Sequence, residues 1–296
     1  MTQVKQAEST EANTLARIEG EGFAAQIFFS PLNQRIQVLS YEAHDAQLMI
    51  SDFENKARKV GFGKVFLKAP LSDQARFEEA GMCAEATIED YFDGQPAVVM
   101  SLFLNEERRQ RPYAEDQDAI MEKIRERPAN SSVPALPEGY QMFSGGLHDA
   151  QEIARLYGEV FASYPFPITD PDYITSTMKS NVLYRIVRDS KGTLVGAASA
   201  EISPKLHNAE MTDFATLPSQ RGLGLAQHIL AALENDMAER DILNLYTIAR
   251  ARSAGMNRVF YNRDYELTGT LVNNCHIAGQ FEDMHVWCKS LRTGVN

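Results

Sequence analysis

The chain has 296 residues, 44% of them hydrophobic, enough for two compact domains that each bury a core. A formal charge of -11 and a pI near 5.1 speak against nucleic acid and anionic lipid, which reward clustered Lys and Arg, and suit a cationic small molecule. Met1 to Asn13 holds no apolar secretory run, no stretch of about 18 uncharged apolar residues occurs, and Cys83, Cys275 and Cys288 fit neither a zinc nor a disulfide pattern. These features predict a soluble, cytoplasmic protein with no metal.

Residues 1–16 read as a polar tail. A first α/β domain is predicted over 17–105. Strands are expected at Phe23 to Phe29 and Ile36 to Tyr41, and a helix at Asp45 to Val60, where Leu48, Met49, Phe53 and Ala57 recur at helical spacing. A strand at Lys64 to Lys68 leads to a short helix capped by Ser72, and two strands, Ala84 to Phe92 and Ala97 to Leu104, flank the hairpin signal Asp93-Gly94. Residues 106–138, crowded with charge and then with Ser and Pro, read as a linker with one helix at Ala114 to Glu126.

A second domain is predicted over 139–296. It opens with a strand at Tyr140 to Phe143 and helices at Asp149 to Phe161 and Asp170 to Lys179. Strands follow at Val182 to Arg188, Thr193 to Glu201 and Glu210 to Leu217, then a helix at Gly222 to Arg240 and a strand at Leu243 to Ile248. A helix at Ser253 to Asn262 and strands at Tyr265 to Leu271 and His285 to Leu291 complete the chain. The pattern is α/β, with an α+β mixed sheet flanked by helices. Phe77 to Met82 followed by two strands echoes Phe260 to Tyr265 followed by two strands, so the first domain reads either as a decayed copy of the second or as an unrelated α/β segment. It lacks a glycine-rich segment ahead of a long helix.

Arg221-Gly222-Leu223-Gly224-Leu225-Ala226 stands between a strand and a long helix. It is similar to the R/Q-x-x-G-x-G/A motif of GNAT acetyltransferases, in which bare backbone at a helix N-terminus meets the pyrophosphate of CoA. The likeness implies acetyl-CoA as co-substrate. Ala215, Thr216 and Leu217 would run beside its pantetheine arm, with one N–H facing the thioester oxygen. Ser253 stands where the usual helix Asn would be, and Asn257, one turn on, is expected to bond the cofactor instead.

An ε-amine is mostly protonated at neutral pH, and presenting it free costs roughly 4 to 5 kcal/mol. Glu210 and Asp213 on the strand entering the loop are the candidate bases. Three apart, they point to opposite faces unless a bulge intervenes; Glu210 is the first choice, and Asp213 is the alternative base or an ammonium anchor. The tyrosine that many GNAT enzymes use as acid falls here on Phe260, which leaves Tyr261, on another side of the helix, as the candidate acid.

Ala209 to Asp213, Ala215 to Pro218, Tyr246 to Ala251, Gly255 to Asn257, Gly269 to Asn274, Tyr164 to Ile168 and Met284 to Trp287 closely resemble the β-lysine N-acetyltransferase family. The resemblance implies a C-terminal GNAT fold behind an N-terminal extension, and acetylation of the ε-amine of β-lysine to Nε-acetyl-β-lysine, a compatible solute. It also implies metabolic coupling to a lysine 2,3-aminomutase. Tyr164, Phe166, Tyr246, Asn273 and Asn274, with Glu210 and Asp213, are then the expected acceptor contacts. Departures are Asp264 where glycine is usual, and Cys275-His276. Other small amines, a non-catalytic acyl-CoA sensor and a protein-lysine acceptor compete with this reading, and the oligomeric state stays open between monomer and homodimer.

Overall fold

The computed structural model describes residues 13–133, 135–277 and 279–292. The chain divides into two compact units, residues 1–86 with 98–110, and residues 87–97 with 111–296. Among the described residues no helix is long and apolar enough to cross a membrane.

In the first unit β1 (Thr14–Gly20), β2 (Phe23–Ser30) and β3 (Arg35–Ala43) form an antiparallel meander. β1 begins inside the stretch read as a tail: its polar alternation is weak alone, and pairing from Thr14↔Phe29 to Gly20↔Phe23 supplies what the sequence lacks. Residues 1–12 of that tail lie outside the described residues. Helix α1 (Ala46–Lys59) starts at Asp45, whose carboxylate accepts the Leu48 N–H, and buries Met49, Ile50, Phe53 and Ala57. It crosses to β4 (Lys64–Pro70), which runs parallel to β3. A 3-10 turn at Leu71–Asp73 precedes α2 (Gln74–Glu79), so Ser72 lies inside the turn and Asp73, not Ser72, takes the N-cap position. β5 (Cys83–Phe92) and β6 (Gln95–Phe103), whose hairpin end at residues 87–97 belongs to the second unit, join through Asp93 and Gly94, both at positive φ. A short α3 (Glu106–Arg109) follows. The strand order is β1-β2-β3-β4-β6-β5.

In the second unit α4 (Ala114–Arg125) sends Met121 and Ile124 into the core, so the helix of the expected linker is part of the packed body. Then come β7 (Gln141–Gly145), α5 (Ala150–Val160), α6 (Pro171–Met178), β8 (Val182–Arg188), β9 (Leu194–Ser203) and β10 (Asn208–Thr216). After α7 (Leu225–Ala238) follow β11 (Asn244–Arg250), α8 (Ala254–Asn262), β12 (Glu266–Ile277) and β13 (Gln280–Ser290). The last two strands outrun their sequence-based bounds because a register shift between Leu271 and Cys275 breaks the alternation that marks a strand. The order is β12-β13-β11-β10-β9-β8-β7. Ala209, Met211 and Leu245 face α7, and Ala197, Ala215 and Ile186 face α5 and α6. Its stretch β8-β9-β10-β11-β13-β12 repeats, strand for strand, the order of the first unit.

Candidate active site

β10 and β11 run parallel, yet they pair only from Asn208↔Asn244 to Glu210↔Tyr246. Beyond that point they part. A bulge between Thr212 and Ala215, with Asp213 at a φ of 57°, bends β10 away and shifts its register on β9. The gap is a cleft of about 670 Å³, lined on one side by Asp213 and Thr216 and on the other by Ile248 and Arg250.

At one end β10 gives way to a 3-10 turn, Pro218–Gln220, and then to Gly222 and Gly224 at φ 85° and 73°. L side chains rarely adopt this conformation, and a Cβ built on either glycine would meet nothing within 4 Å, so the backbone lies open. Gly224, at the N-cap of α7, makes no side-chain cap, and the Gln227 and His228 amides both turn back to its carbonyl. The amides just ahead are those a helix leaves without intrahelical partners, at the positive end of its dipole. Arg221, Gly222, Gly224, Leu225, Ala226, Thr216 and Ser253, all expected at the cofactor, line the cleft. Leu223 turns its side chain outward and Ala215 is packed in the core beneath α5. The Leu217 N–H donates to the Val195 carbonyl at 2.9 Å, so that amide belongs to the sheet. By strand alternation the Thr216 N–H then faces the gap. The open backbone at Gly222 and Gly224 and a cleft of this volume suit a nucleotide thioester.

On the acceptor side Asp213 is buried. Its Oδ1 accepts the Tyr164 hydroxyl at 2.6 Å and its Oδ2 the Ser199 hydroxyl at 2.8 Å, which fixes the plane of the carboxylate. Burial pushes its pKa above the ordinary carboxylate value, while the hydroxyls of Tyr164, Ser199 and Thr212 pull it back. Tyr164 reaches it from the α5–α6 connection, where its ring lies 4.8 Å from that of Phe161. The bulge also overturns the expectation that Glu210 and Asp213 face opposite ways. One inserted residue reverses the parity, so Met211 and Phe214 pack toward α7 and α8 while Glu210 and Asp213 share the other face. Glu210 does not line the cleft; it sits at the closed end of the splay, bonded to the Tyr246 hydroxyl.

Several expected site residues are elsewhere. Tyr246 is buried against Tyr91, with ring centroids 5.5 Å apart, and Phe166 is exposed away from the cleft. Asn257 does not reach a cofactor. Its Nδ2 donates to the carbonyls of Arg250, Ala251 and Ser253, and its Oδ1 takes the Trp287 indole N–H at 2.9 Å and faces His285 Nδ1 at 3.0 Å, so every polar atom of the amide ties β11, α8 and β13 together. Tyr261 packs under Arg258 outside the cleft. Phe260 does line it, in ring contact with Phe214 and Tyr265, so α8 offers no phenol there. Asn273 donates its N–H to Asp283 and Asn274 is buried, neither lining the cleft. Sequence reasoning missed Ser199 and Arg250. A serine facing a bulge on the neighbouring strand carries no local signal, whereas Arg250, an arginine at the end of a strand beside the cofactor loop, could have been flagged.

A family model described as acetyltransferase (GNAT) family matches residues 150–261. The N-acetyltransferase YodP of Bacillus subtilis (strain 168) is 36% identical over 280 residues, covering 94% of this chain and 100% of that protein. A protein named Beta-lysine N(6)-acetyltransferase from Methanococcus maripaludis is 34% identical over 263 residues, 89% of this chain and 95% of its own length. Another of that name, from Methanosarcina mazei, is 36% identical over 249 residues, covering 77% and 92%. With the open helix terminus and the splayed strands, these relatives make the protein an N-acetyltransferase that uses acetyl-CoA. The chain belongs to the β-lysine N-acetyltransferase family of the GNAT superfamily.

Proposed function

We propose that the protein acetylates the ε-amine of β-lysine by direct transfer within a ternary complex. The observation that carries this reading is the single cleft running from the Gly222–Gly224 backbone to the Asp213 carboxylate, which lets a nucleotide thioester and a cationic amine share one opening. The names of two relatives supply the acceptor.

Acetyl-CoA supplies an electrophilic acyl carbon and a thiolate that leaves without a strong acid. The amides ahead of α7 would hold its phosphates, Ser253 and the Thr216 backbone its arm, and a Thr216 N–H facing the gap would bond the acyl oxygen. Asp213, rather than Glu210, would receive the ammonium and take its proton; its position on the cleft and its raised affinity for protons support that role. Tyr164 and Ser199 hold it in one orientation. Acetylation removes one of the substrate's two positive charges and leaves a net-neutral zwitterion, the charge state a compatible solute needs. The supplying reaction must move an amine of lysine from the α to the β carbon.

The test is a mass-spectrometric product assay with β-lysine and α-lysine side by side. Nε-acetyl-β-lysine is the expected product. Acetylation of α-lysine alone would overturn the acceptor.

A further inference from the structure

We propose that Arg250 binds the carboxylate of the acceptor, so that the cleft selects an amino acid rather than a diamine or polyamine. The inference rests on the small-amine acceptor reading above and adds the group that reads the far end of that acceptor.

Among the described residues, three charged side chains line the cleft: Arg221, Asp213 and Arg250. Arg221 adjoins Gly222 at the anion cradle. Asp213 and Arg250 stand on the two strands that part, one charge of each sign. They also share a face. Leu245 packs toward α7, so alternation along β11 sends Tyr246, Ile248 and Arg250 to the opposite side, where Asp213 meets Tyr164.

The guanidinium is oriented but not saturated. Its Nη2 donates to Glu282 Oε1 at 3.1 Å, and Glu282 is itself buried, taking the Gln280 amide at 2.9 Å on the same oxygen. Arg252 Nη1 stands 3.9 Å from that oxygen as well, so two guanidiniums share one carboxylate and the local balance is positive. Arg250 Nε and Glu282 Oε2 are both buried without a hydrogen-bond partner among the described residues, while the Arg250 side chain as a whole is 36% exposed. A planar fork that lines the cleft and is pinned at one corner suits a second carboxylate. An amino acid with its reacting amine at Asp213 presents that carboxylate at its other end. A polyamine would instead bring a second cation toward Arg250, a repulsive contact that discriminates by charge.

The experiment compares kcat/KM on β-lysine and on its carboxamide, at saturating acetyl-CoA, for the natural protein, Arg250→Gln and Arg250→Lys. The natural protein is expected to prefer the acid. Arg250→Gln should lower the acid-to-amide ratio by about tenfold or more, through the acceptor KM with the acetyl-CoA KM held, the scale of a lost charge-assisted hydrogen bond. Arg250→Lys should fall between. Equal losses on both acceptors, or a rise confined to the acetyl-CoA KM, would overturn the assignment. If the variants do not fold, the natural protein alone decides, since indifference to the amide also overturns it. Should another amino acid prove to be the acceptor, the same comparison with that acid and its carboxamide keeps Arg250 under test while the β-lysine reading falls. A polyamine as best acceptor would sink both.

Discussion

In the first unit β3, α1 and β4 form a parallel crossover whose helix begins at Asp45; in the second, β10, α7 and β11 form another whose helix begins after Gly224. The Asp45 carboxylate occupies the Leu48 amide, so that terminus is closed by its own side chain, whereas glycine leaves the other open. The strand ends differ too. In the first unit the Tyr41 ring packs at 5.5 Å on Phe77, its hydroxyl donates to Asp73, and Arg76 donates to the Ala43 carbonyl, which fills the region beyond the last β3–β4 pair. In the second unit a bulge and a carboxylate stand there instead, beside a cleft. On the proposed reading, an anion site on this scaffold arises from what is withheld, a cap and a plug.

Three substitutions break or sharpen that contrast. The largest effect is expected from Asp213→Asn, which removes the proton acceptor while keeping shape. kcat should drop by about 100- to 10,000-fold. In the natural protein kcat/KM should fall as pH drops through the raised Asp213 pKa, because only the ionised carboxylate accepts a proton, and the variant should lose that limb. A variant with near-normal turnover would return the base assignment to Glu210. Next in size, Gly224→Asp sets a carboxylate beside the open terminus of α7. Aspartate tolerates a φ of 73° better than most residues, and no atom lies within 4 Å to clash, so the fold should survive while acetyl-CoA binds roughly 10- to 100-fold more weakly by calorimetry. The smallest effect is the reciprocal one: Asp45→Ala should lower unfolding stability by about 1 kcal/mol in denaturant titration and leave kinetic constants in place.

The difference between the two crossovers was legible in part. Gly222 and Gly224 ahead of an apolar-periodic helix announce an open terminus, whereas Asp45 entered the sequence reading only as the first residue of a helix and its cap was found in the structure. The bulge was not legible. Nothing local compels Asp213 into the left-handed region; the bulge is held by contacts from distant segments, Tyr164 on one side and Ser199 on the other. Strict alternation therefore separated two carboxylates that the fold puts on one face. Asn257 misled for a related reason. Its place on α8 suggested a cofactor bond, but the partners that use up its amide, Trp287 and His285, come from a strand about thirty residues away in sequence. Tyr261 failed by helical geometry, one residue from a lining position yet around the corner from it.

The uncapped first turn of α7 has one more consequence. Gly224 offers no side chain to the leading amides of that turn, so on the proposed reading the turn is a part of the native fold that the co-substrate would complete. Hydrogen–deuterium exchange there should slow on addition of CoA, and the melting temperature should climb with its concentration. A ligand at 100 times its dissociation constant stabilises by about 2.7 kcal/mol, so durability of this protein tracks the supply of the molecule it consumes.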